Sequence, residues 1–165
     1  MLQKIRKTKP RQVKGGNFAI VASRYNARYV GAMLRAAERS LSVAGAATVE
    51  VVRVPGAFEI PVVAATLARR DSPRLGAIIC LGVILRGETT HAQHIGEAVS
   101  HSLAQIQVLT GVPIIHEVLL LENEQQAIAR CLSPEHNRGA EAAQTAVQMA
   151  SILAHLRPPQ PPSRK

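Results

Sequence analysis

A chain of 165 residues has room for one domain with one sizeable core. It is 47% hydrophobic but only 2% aromatic, so Ala, Val, Ile and Leu must fill that core, and no apolar run is long enough to span a bilayer. The net charge of +9 sits at the ends: Lys4, Arg6, Lys7, Lys9, Arg11 and Lys14 precede Gly15, and Arg157, Arg164 and Lys165 close the chain, with no acid among them. Those nine leave eleven basic residues to match eleven acids, so the body between the tails is formally neutral and carries no basic face with interleaved aromatics for nucleic acid.

In chain order, Phe18 to Ala22 is a short apolar run ended by the turn Ser23-Arg-Tyr-Asn26. Val30, Met33, Leu34 and Ala37 then recur at a helical period over 27–41. Ala47 to Val54 alternates and is rich in Val, which predicts a strand; Pro55-Gly56 breaks it, and 57–70 predicts a helix with Pro61 near its first turn. Leu75 to Leu85 is the most apolar segment and predicts a central strand. Thr90 to Leu109 follows as a long helix that Gly111-Val-Pro113 ends, Ile114 to Leu121 as a fourth strand, Glu124 to Leu132 as a short helix and Arg138 to Leu156 as a final one. Strand alternating with helix in this way predicts a single three-layer α/β domain over 16–156, with a flavodoxin-like four-stranded parallel sheet and helices on both faces. Residues 1–15 read as a basic flexible tail and 157–165 as a Pro-rich basic one, solubilising termini in preference to a nucleic-acid arm. The basic N-terminus has no apolar stretch typical of a secretory signal, and Cys80 and Cys131 form no disulfide or metal pattern, so a cytoplasmic location is expected.

Ligands of open parallel sheets bind beyond the carboxyl ends of the strands. Three such ends carry unusual residues here: Arg24-Tyr25-Asn26, Pro55-Gly-Ala-Phe58-Glu59 and Arg86-Gly-Glu-Thr-Thr-His91. Tyr25 and Phe58 are two of only four aromatics, and rings at two strand ends suit a flat heteroaromatic ligand as well as they suit packing under a loop. Thr90-His-Ala-Gln93 matches a capping box, which would open a helix whose free N–H groups favour an anion such as phosphate. His91, in the first turn of that helix, is placed to move protons. His91, His94 and His101 lack the spacing and companions of a metal set and read as surface histidines. A dinucleotide glycine motif, a Walker loop and a nucleophile elbow are all absent from the sequence, which leaves proton transfer, phosphate binding and positioning as the available chemistry.

These segments closely resemble the 6,7-dimethyl-8-ribityllumazine synthase family. The likeness is carried by Val54-Pro-Gly-Ala-Phe-Glu-Ile-Pro61, Leu81-Gly-Val-Ile-Leu-Arg-Gly-Glu-Thr-Thr-His91, Gly111-Val-Pro113, Glu124-Gln-Gln-Ala-Ile-Ala-Arg130 and Asn137-Arg-Gly139, in order across roughly residues 16 to 156. It implies condensation of 5-amino-6-(D-ribitylamino)uracil with 3,4-dihydroxy-2-butanone 4-phosphate, the penultimate step of riboflavin biosynthesis, without metal or redox cofactor. In that resemblance Tyr25 stacks on the pyrimidinedione, and Ala57, Phe58 and Glu59 hold its ring and ribityl chain. Val83, Ile84 and Leu85 line the pocket, Gly87, Glu88 and Thr89 form the phosphate turn, and His91 is the proton donor. Arg130 pairs with the substrate phosphate from a neighbouring subunit, which implies a homopentamer, alone or built into a decamer or a sixty-subunit shell. His116 and Glu117 depart from the family pattern, standing where it has an aromatic and a small residue at the wall that the neighbour contributes. Cys131-Leu-Ser-Pro-Glu-His136 also departs, replacing a stretch rich in glycine and lysine. Two other readings are a non-catalytic flavin-binding relative, which intact His91 and Arg130 argue against, and a shell whose basic tails hold nucleic acid or acidic cargo.

Overall fold

The computed structural model describes residues 16–156; both basic tails lie outside the described residues. Four strands, β1 (Asn17–Ser23), β2 (Thr48–Val54), β3 (Ala77–Leu85) and β4 (Ile114–Leu121), form one all-parallel sheet in the order β2-β1-β3-β4. Five α-helices accompany them: α1 (Ala27–Val43), α2 (Ile60–Ala68), α3 (His91–Thr110), α4 (Glu124–Ala127) and α5 (Arg138–Leu156).

The side-chain alternation of the central strands explains the layers. Phe18, Ile20 and Ala22 of β1, with Ala77, Ile79, Leu81 and Val83 of β3, pack into one core with α1 and α5. Ala19 and Val21, with Ile78 and Cys80, point the other way into a second core with α2 and α3. Both faces of β1 and β3 are thus out of water, which is why these strands read as unbroken apolar runs. Small residues let the layers close tightly. A Cβ on Gly139, in the first turn of α5, would lie 2.0 Å from the Met33 carbonyl oxygen of α1, so only glycine fits that helix crossing. At the far end of α3, Gly111 takes φ 66 and returns its N–H to the Gln107 carbonyl, a glycine C-cap.

The α/β three-layer expectation agrees with this architecture, and two local expectations need refinement. The segment expected as one helix over 57–70 begins as a 3₁₀ turn, Ala57–Glu59, before α2 starts at Ile60. The short helix expected over 124–132 is one α-helical turn that widens into a π-helical turn, Ile128–Leu132. No helix among the described residues is long and apolar enough to cross a membrane.

Candidate active site

The chain leaves β1 in one direction along the sheet, toward β2, and returns past it to β3. The carboxyl ends of β1 and β3 therefore flank the point where strand order reverses, the place where open α/β sheets bind ligands. Three connections meet there. Arg24 donates its backbone N–H to the Val54 carbonyl at 2.7 Å and Tyr25 to the Pro55 carbonyl at 3.0 Å, which sets the turn after β1 beside the turn after β2. Asn26 adopts the left-handed conformation (φ 55, ψ 42), one that Asn tolerates better than most residues. Its carbonyl accepts from Tyr29 and Val30 to start α1, and its side-chain amide donates to the Val83 carbonyl at 2.7 Å.

The Pro55–Glu59 turn is held by its own carboxylate. Glu59 Oε2 accepts the Gly56 N–H at 2.8 Å, which folds the 3₁₀ turn and sets Phe58 on the rim. A carboxylate has lone pairs enough to accept further bonds from a ligand hydroxyl.

Between these connections lies a cleft of about 770 Å³, lined by Tyr25, Asn26, Gly56, Ala57, Phe58, Glu59, Val83, Ile84, Leu85, Gly87, Thr89, His91, Ala92 and Ile95. Its walls are mainly apolar, with a few convergent polar groups, the usual make-up of a small-molecule site. Tyr25 and Phe58 are 74% and 61% exposed, so these rings are not core residues that merely reach a strand end. Packing under a loop does not account for them.

Three of the expected site residues, Glu88, His116 and Arg130, are not on the wall of the chain's own cleft, and for His116 and Arg130 the family resemblance implies a place at a neighbour's cleft instead. Glu88 is in the same exposed turn as Gly87 and Thr89 but is not part of the cleft wall. His116 stands on β4, at the edge of the sheet, with Nε2 2.7 Å from Ser100 Oγ on α3 and Nδ1 accepting the Val118 N–H at 3.3 Å. Packing of part of the ring against α3 and β4 desolvates it and holds its pKa below the ordinary histidine value, although the residue as a whole stays exposed. Arg130 lies in the π-helical turn after β4, a backbone irregularity that recurs at functional sites. Neither His116 nor Arg130 reaches the cleft of its own chain.

The expected capping box at the start of α3 does not form. Thr90 already has helical backbone angles (φ −72, ψ −3), and its side chain makes no cap bond. Thr89 Oγ1 instead accepts the His91 N–H at 3.4 Å, and the Gln93 amide is engaged by Glu97 and Arg86. The helix start still stands at the cleft, with Thr89 and His91 on its wall.

The next residue along β4, Glu117, points to the opposite face, where Arg138 of α5 grips its carboxylate with two bonds of 3.0 and 3.1 Å. Glu141 pairs with the same guanidinium. Burial pushes the Glu117 carboxyl up to about 7, against the pull of Arg138. Asn137 orders the start of α5: its Oδ1 accepts the Gly139 N–H at 2.9 Å, and its amide donates to the Cys131 carbonyl at 2.6 Å. The segment that carries Arg130 is tied down at its other end by Glu124, which accepts from Tyr29 at 2.5 Å and Arg28 at 3.4 Å.

Comparison with known proteins decides the family. The family model described as 6,7-dimethyl-8-ribityllumazine synthase matches residues 15–154, which is nearly all of the described structure. The chain belongs to the lumazine synthase family. A 6,7-dimethyl-8-ribityllumazine synthase of Xylella fastidiosa is 41% identical over 144 residues, covering 86% of this chain and 92% of that protein. The enzyme of the same name from Xanthomonas oryzae pv. oryzae is 39% identical over 141 residues, covering 84% and 90%. That of Stenotrophomonas maltophilia is 38% identical over 148 residues, covering 88% and 94%. The likeness thus runs through all three strand ends that build the cleft of this lumazine synthase family member.

Proposed function

We propose that the protein condenses 5-amino-6-(D-ribitylamino)uracil with 3,4-dihydroxy-2-butanone 4-phosphate to give 6,7-dimethyl-8-ribityllumazine. The observation that carries this reading is the meeting of Tyr25, Phe58, Glu59, Thr89 and His91 in one cleft at the strand-order reversal of a lumazine synthase family member. Tyr25 and Phe58 offer flat surface to the pyrimidinedione, and Ala57, Val83, Ile84 and Leu85 exclude water beneath it. Glu59 accepts hydrogen bonds from the ribityl hydroxyls. Gly87 and Thr89, at the start of α3, receive the phosphate end of the four-carbon substrate.

In this mechanism the pyrimidine amine attacks the ketone, and water leaves to form an imine. Phosphate then leaves, the product tautomerises, and attack by the second amine closes the ring with loss of another water. His91 relays protons as the imine forms and the phosphate departs. The cleft holds two reactants at high effective concentration and places positive partial charge where phosphate accumulates. No step changes the overall oxidation state, so the condensation calls for no redox cofactor.

His116 and Arg130 enter this scheme from a neighbouring subunit. The family likeness supports a homopentamer in which one subunit's β4 edge and π-helical turn close the next subunit's cleft; decamers and sixty-subunit shells would stack such rings. Val108 and Leu109, exposed on α3, are apolar surface that such an assembly would cover. Location in the cytoplasm fits an enzyme of phosphorylated intermediates. The test is lumazine formation followed by absorbance against an enzyme-free control. Turnover above that control supports the reading; folded protein that stays at the control rate sinks it.

A further inference from the structure

Both nitrogens of His116 are occupied by its own subunit. The Ser100 hydroxyl oxygen lies 2.7 Å from both the Gly96 carbonyl and His116 Nε2; with its one proton given to the carbonyl it accepts from Nε2, the role that the acceptor state of Nδ1 leaves to that nitrogen. On the other side of the ring, Nδ1 accepts the Val118 N–H at 3.3 Å. The two contacts demand the same species, a neutral imidazole protonated on Nε2. They also set the ring plane, one from α3 and one from β4 itself. Yet His116 remains exposed at the open edge of the sheet. A histidine in this state has no hydrogen-bonding edge left for a ligand. What it presents to a neighbour is a flat, uncharged π face.

We propose that Ser100 is a positioning residue, which locks His116 as a neutral stacking plate against the pyrimidinedione bound in the adjoining subunit. This rests on the cross-subunit site proposed above. The plate selects a planar ring by its faces, and Ser100 acts only through His116. Removing the hydroxyl frees Nε2–H and lets the ring turn about its side-chain torsions, so its face no longer lies parallel to the ligand. The binding of the phosphate substrate, which His116 does not touch, is left alone.

Titration calorimetry with the pyrimidinedione, alongside lumazine turnover on the same assembled protein, tests this. Ser100→Ala should weaken pyrimidinedione affinity by about five- to tenfold, the effect of one lost hydrogen bond, with kcat and the KM for the butanone phosphate little changed. Ser100→Thr and Ser100→Val share one shape and differ in the hydroxyl, so Thr should bind as wild type and Val as Ala. In a His116→Phe background, Ser100→Ala should cost nothing further. Unchanged affinity in Ser100→Ala and Ser100→Val overturns the proposal, and so does an equal loss with and without His116. Wild-type protein that binds the pyrimidinedione but forms no lumazine would defeat the catalytic reading alone, while the Ser100 comparison is still decided by calorimetry. Wild-type protein that binds none overturns both.

Discussion

The Asn26 side chain donates to the Val83 carbonyl across the seam between β1 and β3, at 2.7 Å and from a left-handed backbone. One residue thereby joins the two strand ends at the floor of the cleft and starts α1. Asn26→Ala loses the bond and puts a less tolerant residue at positive φ; it should cost about 1–2 kcal/mol in denaturant unfolding. Asn26→Gly keeps the backbone freedom and loses only the bond, so it should fall between Ala and wild type. Turnover should drop in both, because Tyr25 and Val83 are no longer held at a fixed separation.

The exposed rings on the cleft rim give a contrasting case. Tyr25→Ala and Phe58→Ala remove surface that the folded chain leaves largely in water, so unfolding free energy should move by no more than about 0.5 kcal/mol. Each should raise the pyrimidinedione KM about tenfold, with a much smaller effect on the KM of the butanone phosphate. Paired thermal melts and steady-state kinetics check this. Loss of stability without a change in KM would make these rings structural.

Much of this was legible in the sequence, and most of what was not depends on partners distant along the chain. The buried strands announce themselves because both faces of the sheet are covered, and the three unusual strand ends do meet in one cleft. Asn26 reads in sequence only as a turn residue; its bond to Val83 spans 57 positions, and no local pattern reveals it. Glu117 looks like an out-of-place charge on an apolar strand until Arg138, 21 residues on, is brought beneath it. The capping box at Thr90 failed for the reverse reason: the local pattern was present, but the backbone was already helical one residue early.

Glu117 makes stability depend on pH. With its pKa raised by burial to about 7 from the ordinary 4.5, the carboxyl holds its proton more tightly in the folded chain. Its contribution is therefore fully present below about pH 4.5 and is lost as pH rises through about 7. Glu117→Gln lacks this titration. Relative to wild type, the variant should gain roughly 1–3 kcal/mol between pH 5 and pH 8, read from urea unfolding at both values. An identical wild-type-to-variant difference at the two pH values would show that Arg138 fully offsets the burial.

Gly139→Ala places a methyl group against the Met33 carbonyl oxygen, a rigid backbone atom. The α1–α5 crossing would have to open, so a loss of about 3 kcal/mol or more is expected in denaturant unfolding, or failure to accumulate as folded protein. A variant as stable as wild type would mean that the two helices are not packed this closely.

The proposed shared site pairs His91 in one subunit's cleft with Arg130 from the next. Co-expressing His91→Ala and Arg130→Ala chains, each of which should be strongly impaired alone, tests it most directly. In randomly mixed rings some clefts pair an intact His91 with an intact Arg130, so lumazine formation should recover to about a quarter of the wild-type rate. Mixed assemblies no more active than the average of the two parent variants would contradict the shared site.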